Sequence, residues 1–126
     1  MINHLEDTLN EVNINKMVKM FYAKVRKHKE LAPIFNNAIH DWPEHLDKLT
    51  LFWKDRMLGT REFVGHPPRA HMELPPFDTN LFEEWLRLFA ETADEIYTPE
   101  IATLYKEKSR NIAVNLKRIV ELKRFD

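Results

Sequence analysis

Cysteine is absent from the 126-residue chain. That excludes disulfides, Cys-bound zinc, iron–sulfur clusters and a thiolate nucleophile, and it fits a reducing compartment. Glycine occurs only twice, which is few for a β protein built on tight turns. Serine occurs once, at Ser109, inside an expected helix, so nucleophilic hydrolysis has no visible machinery. The 19 basic and 20 acidic residues leave a net charge of −1, without the basic surplus of a dedicated nucleic-acid binder. No apolar run approaches the roughly 20 residues a membrane span needs. The first ten residues, MINHLEDTLN, have neither a basic nor an apolar signal region, so a cytoplasmic protein is expected. E-x-x-H, H-E-x-x-H, G-x-S-x-G and phosphate-cradling glycine loops are all missing. At about 150 residues per domain, residues 1–126 are expected to form one domain.

Seven prolines punctuate what remains. Between them, apolar residues recur at helical spacing, and the expected class is all-α. A first helix is expected from about Asn13 to His28, with Ile14, Met17, Val18, Phe21 and Val25 on one stripe and Asn13 as N-cap. Thr8 and Glu11 have capping-box spacing just before it. Residues 30–36 read as a short turn or 3₁₀ piece. A second helix is expected from Trp42 to Leu58, capped by Asp41 and stopped by Gly59. Residues 60–77 read as a long loop carrying Gly65 and two proline pairs. A third helix is expected from Asp78–Asn80 to near Tyr97. The last is expected from Pro99 to about Leu122, with Ile101, Leu104, Tyr105, Ile112, Leu116 and Ile119 on its stripe.

The residues able to carry chemistry are histidines and polar aromatics. His71 lies between the proline pairs, on a short segment that would hold its ring in one direction. That suits an axial metal ligand as well as a surface histidine in a polar loop. His45 shares a helix face with Leu49 and Phe52, as a boundary residue or a pocket one. Tyr22 and Trp85 fall on core stripes, yet a buried hydroxyl or indole N–H wants a partner, and two such donors invite a polar ligand.

Five segments then carry a likeness: M-F-Y-A-K-V-R at 20–26, P-I-F-N-N at 33–37, E-H-L-D-K-L-T-L-F-W at 44–53, A-H-M-E-L-P-P-F at 70–77 and F-E-E-W-L-R-L-F at 82–89. In this order, over roughly residues 9 to 122, the chain resembles the group III truncated haemoglobins. H-x-x-L-P-P-F is the most specific string. The paired-glycine motifs usual in groups I and II are missing, as they are in group III.

The resemblance implies a two-over-two helical sandwich around haem b, with a long loop before the proximal histidine. It implies that His71 binds the haem iron and leaves the opposite position open to O2, CO or NO. Tyr22, His45 and Trp85 then become distal residues, and Phe35 packs on the haem. Leu49, Phe52 and Leu74 are expected in the lining. Lys48 and Arg69 are candidate partners of the propionates, as neighbours of His45 and His71. Donation by Tyr22 and Trp85 onto a charged ligand oxygen would be worth about 1.5–3 kcal/mol each. That slows release, so redox chemistry on O2, NO or peroxide is expected rather than bulk transport, with an NO dioxygenase or peroxidase activity and an unidentified reductase. His45 is expected to gate the pocket. A monomer is favoured, with no nucleic-acid or membrane partner. The competing expectation is a cofactor-free helical protein-interaction module.

Overall fold

The computed structural model describes residues 4–65 and 77–123. Among these, five helices form and no strand does: α1 (Glu11–Val25), α2 (Leu31–Ala38), α3 (Trp42–Leu58), α4 (Leu81–Ile96) and α5 (Pro99–Lys123).

α1 starts a turn earlier than its pattern suggests. Asn10, not Asn13, is the N-cap: its side chain accepts from the Asn13 N–H at 2.9 Å, and the Asn13 side chain accepts from the Asn10 N–H at 3.1 Å. The two asparagines thus form the capping box, in place of the Thr8–Glu11 pairing. Asn13 is buried and also donates to the Thr8 carbonyl at 2.9 Å, so its burial comes from tertiary contacts rather than from a cap. The helix ends at Val25, short of His28.

Residues 31–38 are an α-helix, not a turn or 3₁₀ piece. Pro33 falls in the first turn, where its missing N–H leaves no bond unmade. The cap is unusual. Glu30 offers no side-chain hydrogen bond. Instead the His28 ring Nδ1 accepts from the Glu30 and Leu31 N–H groups at 3.1 and 3.2 Å.

α3 matches expectation at both ends. Asp41 accepts from the Glu44 N–H at 3.1 Å, Pro43 sits in the first turn, and Gly59 takes the left-handed conformation at φ 69° that glycine adopts without strain. α4 runs from Leu81, and α5 opens on Pro99. On α5 the buried face is Ile101, Ala102, Tyr105, Ser109, Ala113, Leu116 and Val120. Leu104, expected on the core stripe, is 43% exposed, because the face packed on α4 is turned away from it.

α1 packs on α3 and on α4, α4 packs on α5, and α2 leans on α1. Two helix pairs therefore cross in two layers. The N-terminal segment is tied down by Glu6, whose N–H donates to Ile96 O at 2.8 Å and whose carbonyl accepts from the Thr98 N–H at 3.0 Å. Between the layers, Ile14, Met17, Val18, Phe21, Val25, Phe89, Tyr97 and Tyr105 are at most 1% exposed. The Tyr97 hydroxyl donates to Asn13 Oδ1 at 2.9 Å and lies 3.0 Å from the Tyr105 hydroxyl, so the buried phenols are paired as their burial requires.

Candidate functional site

On the other side of Trp53 and Trp85 the packing changes. The described residues line a cavity of about 630 Å³, built from all five helices. Tyr22 comes from α1, Ile34 and Phe35 from α2, His45, Leu49 and Phe52 from α3, Trp85 from α4, and Ile112 and Leu116 from α5. Well-packed interiors hold few voids larger than a water. A space of this size and lining is in the range of cofactor pockets, about 300–1,000 Å³.

Polar groups are few on this wall. Tyr22 is buried, and burial pushes its hydroxyl well above the ordinary tyrosine range; a hydrogen bond from the Trp85 side chain acts in the opposite sense. The donor is the indole N–H, which leaves the tyrosine proton free to be given elsewhere. Trp85 is held in plane: it stacks on Phe89 at 5.3 Å and 8°, and Phe21 meets it edge-on at 5.2 Å. The Tyr22 ring is fixed edge-to-face by Phe21 at 4.8 Å and by Phe35 at 5.8 Å.

His45 is half-buried on the same wall. Burial, then the nearby Lys48 ammonium, lower its pKa below the usual 6.5. Both effects favour the neutral imidazole. Lys48 is itself exposed and borders the cavity.

The structure thus gathers Tyr22, Phe35, His45, Lys48, Leu49, Phe52 and Trp85 around one cavity. His71, Arg69 and Leu74 lie outside the described residues. Several lining positions were not singled out from the sequence. Leu31 and Ile34 were hidden because α2 read as a turn. Ile112 and Leu116 are on the expected α5 stripe, and only the fold reveals that part of this stripe faces the cavity.

The comparisons with known proteins agree. The bacterial-like globin family profile matches residues 7–118. The group 3 truncated hemoglobin of Campylobacter jejuni is 38% identical over 118 residues, covering 90% of this chain and 93% of that protein. The crystal structure of the group III truncated hemoglobin from Campylobacter jejuni superposes with a TM-score of 0.89, covering 93% of this chain and 95% of that one. The helical sandwich and its apolar cavity define a globin. The chain belongs to the bacterial-like globin family, within it to the group III truncated haemoglobins.

Family membership carries a haem-type cofactor and the binding of diatomic gases. The residues present fit such a group. The lining is aromatic and aliphatic, as a flat apolar macrocycle requires. Its polar side chains are Tyr22, Trp85, His45 and Asn37, with the Lys48 cation at the border. Among the described residues no cluster of three or more His, Cys, Asp or Glu side chains could hold a bare metal ion. No helix among them is long and apolar enough to cross a membrane.

Proposed function

We propose that the cavity holds haem b, that His71 would ligate its iron, and that Tyr22 and Trp85 would retain a diatomic gas bound there. When bound, haem b supplies an iron with an open coordination position for O2, CO or NO and one-electron redox chemistry. Everything else falls to the chain. Phe35, Leu49 and Phe52 line the cavity and would hold the macrocycle away from water, with Leu74 as a further candidate; Lys48 borders the cavity and, with Arg69, is a candidate partner of the carboxylates.

The single observation that carries this reading is the Tyr22–Trp85 pair on a largely apolar wall. The indole N–H polarises the Tyr22 oxygen, and hydrogen bonds in a chain strengthen one another. The Tyr22 O–H is then the first donor to a ligand atom that gathers negative charge, and Trp85 becomes a second where its one N–H turns from the tyrosine oxygen to the ligand. At about 1.5–3 kcal/mol per bond to a charged acceptor, and tenfold per 1.4 kcal/mol, the pair slows oxygen release by orders of magnitude. Carbon monoxide, less polar, is retained less.

Tight retention suits oxygen-dependent redox chemistry, NO dioxygenation or peroxide turnover, rather than bulk transport. The reaction class therefore calls for an electron-donating partner, a separate reductase in a reducing, cytoplasmic setting. His45 acts as the access group, moving between the wall and solvent. The test is stopped-flow oxygen dissociation. Tyr22→Phe should release oxygen at least tenfold faster, and Tyr22→Phe with Trp85→Phe faster still. Wild-type release in the double variant would remove both residues from the mechanism.

A further inference from the structure

Gas retention accounts for Tyr22 and Trp85, but it leaves a cluster at the α1–α3 corner unexplained. Three rings meet there. The centroids lie 5.8 Å apart for Tyr22–Trp42, 5.9 Å for Tyr22–His45 and 5.7 Å for Trp42–His45. The imidazole stands at 89° to both neighbours. Each ring touches the other two, so His45 cannot leave without losing contacts to both. Trp42 and His45 are three residues apart on the first turns of α3 and share a face.

Arg26 backs the cluster. Its guanidinium carbon lies 4.5 Å from the centroid of the Trp42 ring, within the range of a cation–π contact. Arg26 is the C-cap of α1, and its N–H donates to the Tyr22 carbonyl at 2.9 Å. It therefore sits one turn beyond Tyr22, on the side facing α3. Its partner is an aromatic ring, as is that of Arg56, whose guanidinium carbon lies 5.1 Å from the Phe52 centroid. Lys24, Lys54, Arg87 and Lys106 each pair with carboxylates. Arg26 forms no ion pair among the described residues, and its cation lies on the indole.

We infer that Arg26, acting through Trp42, holds the His45 ring against Tyr22 and so sets how often the cavity opens to gas. Arg26 is a positioning residue, since its side chain reaches the lining through Trp42. The outward motion of His45 needs Trp42 to shift or to lose its perpendicular contact, and a shift of Trp42 strains the Arg26 contact. The inference about access rests on the reading of His45 given above. The contribution of one exposed cation–π pair corresponds to an equilibrium shift of about two- to fivefold.

The test uses the haemin-loaded, reduced, CO-saturated protein as wild type, Arg26→Gln and Arg26→Lys. Arg26 is exposed, so these changes leave the helices intact, as circular dichroism will check. The first readout is the nuclear Overhauser effect between His45 and Tyr22 ring protons. The second is CO association after flash photolysis. Arg26→Gln should weaken the His45–Tyr22 effect and speed CO association about two- to fivefold. Arg26→Lys keeps a cation over the indole and should restore both towards wild type. A wild-type signal in Arg26→Gln overturns the inference, as does an Arg26→Lys protein indistinguishable from Arg26→Gln. His45→Leu separates the two claims: unchanged CO association there sinks the access reading alone, while the ring-proton signal still decides whether Arg26 positions His45.

Discussion

Two regions of this molecule use the same residues to opposite ends. Around Phe89, aromatic rings fill space: Phe21 meets it at 4.9 Å, Trp53 stacks on it at 4.8 Å, and Tyr105 lies 5.8 Å away. On the far side of Trp53 and Trp85, rings of the same kind face a cavity of about 630 Å³. Phe35, Leu49 and Trp85 are only half-buried there, whereas Phe89 and Tyr105 are fully buried. The first region specifies the fold; the second is shaped for a guest. Trp53 and Trp85 belong to both, so their positions couple stability to pocket shape.

The strongest way to break this comparison is to truncate one ring in each region. Phe89→Ala should cost about 3–5 kcal/mol of unfolding free energy, read by chemical denaturation. Phe35→Ala should cost about 1 kcal/mol, because its ring is not enclosed. Equal costs would mean that the two regions are packed alike. The next effect is a gain. Haemin at 100 times its dissociation constant should raise unfolding free energy by about 2.7 kcal/mol through mass action. Thermal melts with and without haemin check it, and no shift would mean that the cavity does not take the group.

A smaller change sharpens the filled side. Tyr97→Phe removes the donor to Asn13 Oδ1 and the partner of the Tyr105 hydroxyl. Asn13 Oδ1 keeps the Asn10 N–H, but leaving the buried Tyr105 hydroxyl unpaired should cost about 1–3 kcal/mol. Burial pushes the Tyr97 pKa up to about 12, so this pairing should persist at ordinary alkaline pH. A loss below about 1 kcal/mol would show that water replaces the missing bonds.

The smallest effect comes from His45 on the cavity side. Its pKa is held below 6.5, first by burial and then by Lys48. Below pH 6.5 the unfolded chain therefore binds a proton that the folded chain resists. Stability should fall as pH drops through that window, until the folded-state value is passed. The His45→Leu protein should show a shallower acid slope in denaturation midpoints. An unchanged slope would assign it to other groups.

Helices bounded by their own local chemistry were legible in the sequence. Asp41, Pro43 and Gly59 set both ends of α3, and Pro99 opened α5. α2 was not legible, since Pro33 reads as a breaker when its position in the turn is unknown. Its cap also comes from the His28 ring rather than from the residue before the helix. Asn10 and Asn13 are chemically equivalent caps, and only the burial of Asn13 beside Tyr97 separates their roles. Of the site, Tyr22, His45 and Trp85 came through family resemblance, because a stripe of aromatics does not distinguish core from pocket wall. The Arg26 contact spans two helices, and no spacing along the chain encodes it.

The proposed occupant of the cavity is a histidine-ligated haem that can still take up a gas. That proposal is tested most directly by the absorption spectrum of the protein loaded with haemin, reduced with dithionite and exposed to carbon monoxide, beside His71→Ala. A sharp Soret band that shifts with carbon monoxide, and is lost or altered in His71→Ala, is expected. A folded, helical protein that takes up no haemin would contradict it, and would favour a cofactor-free interaction module.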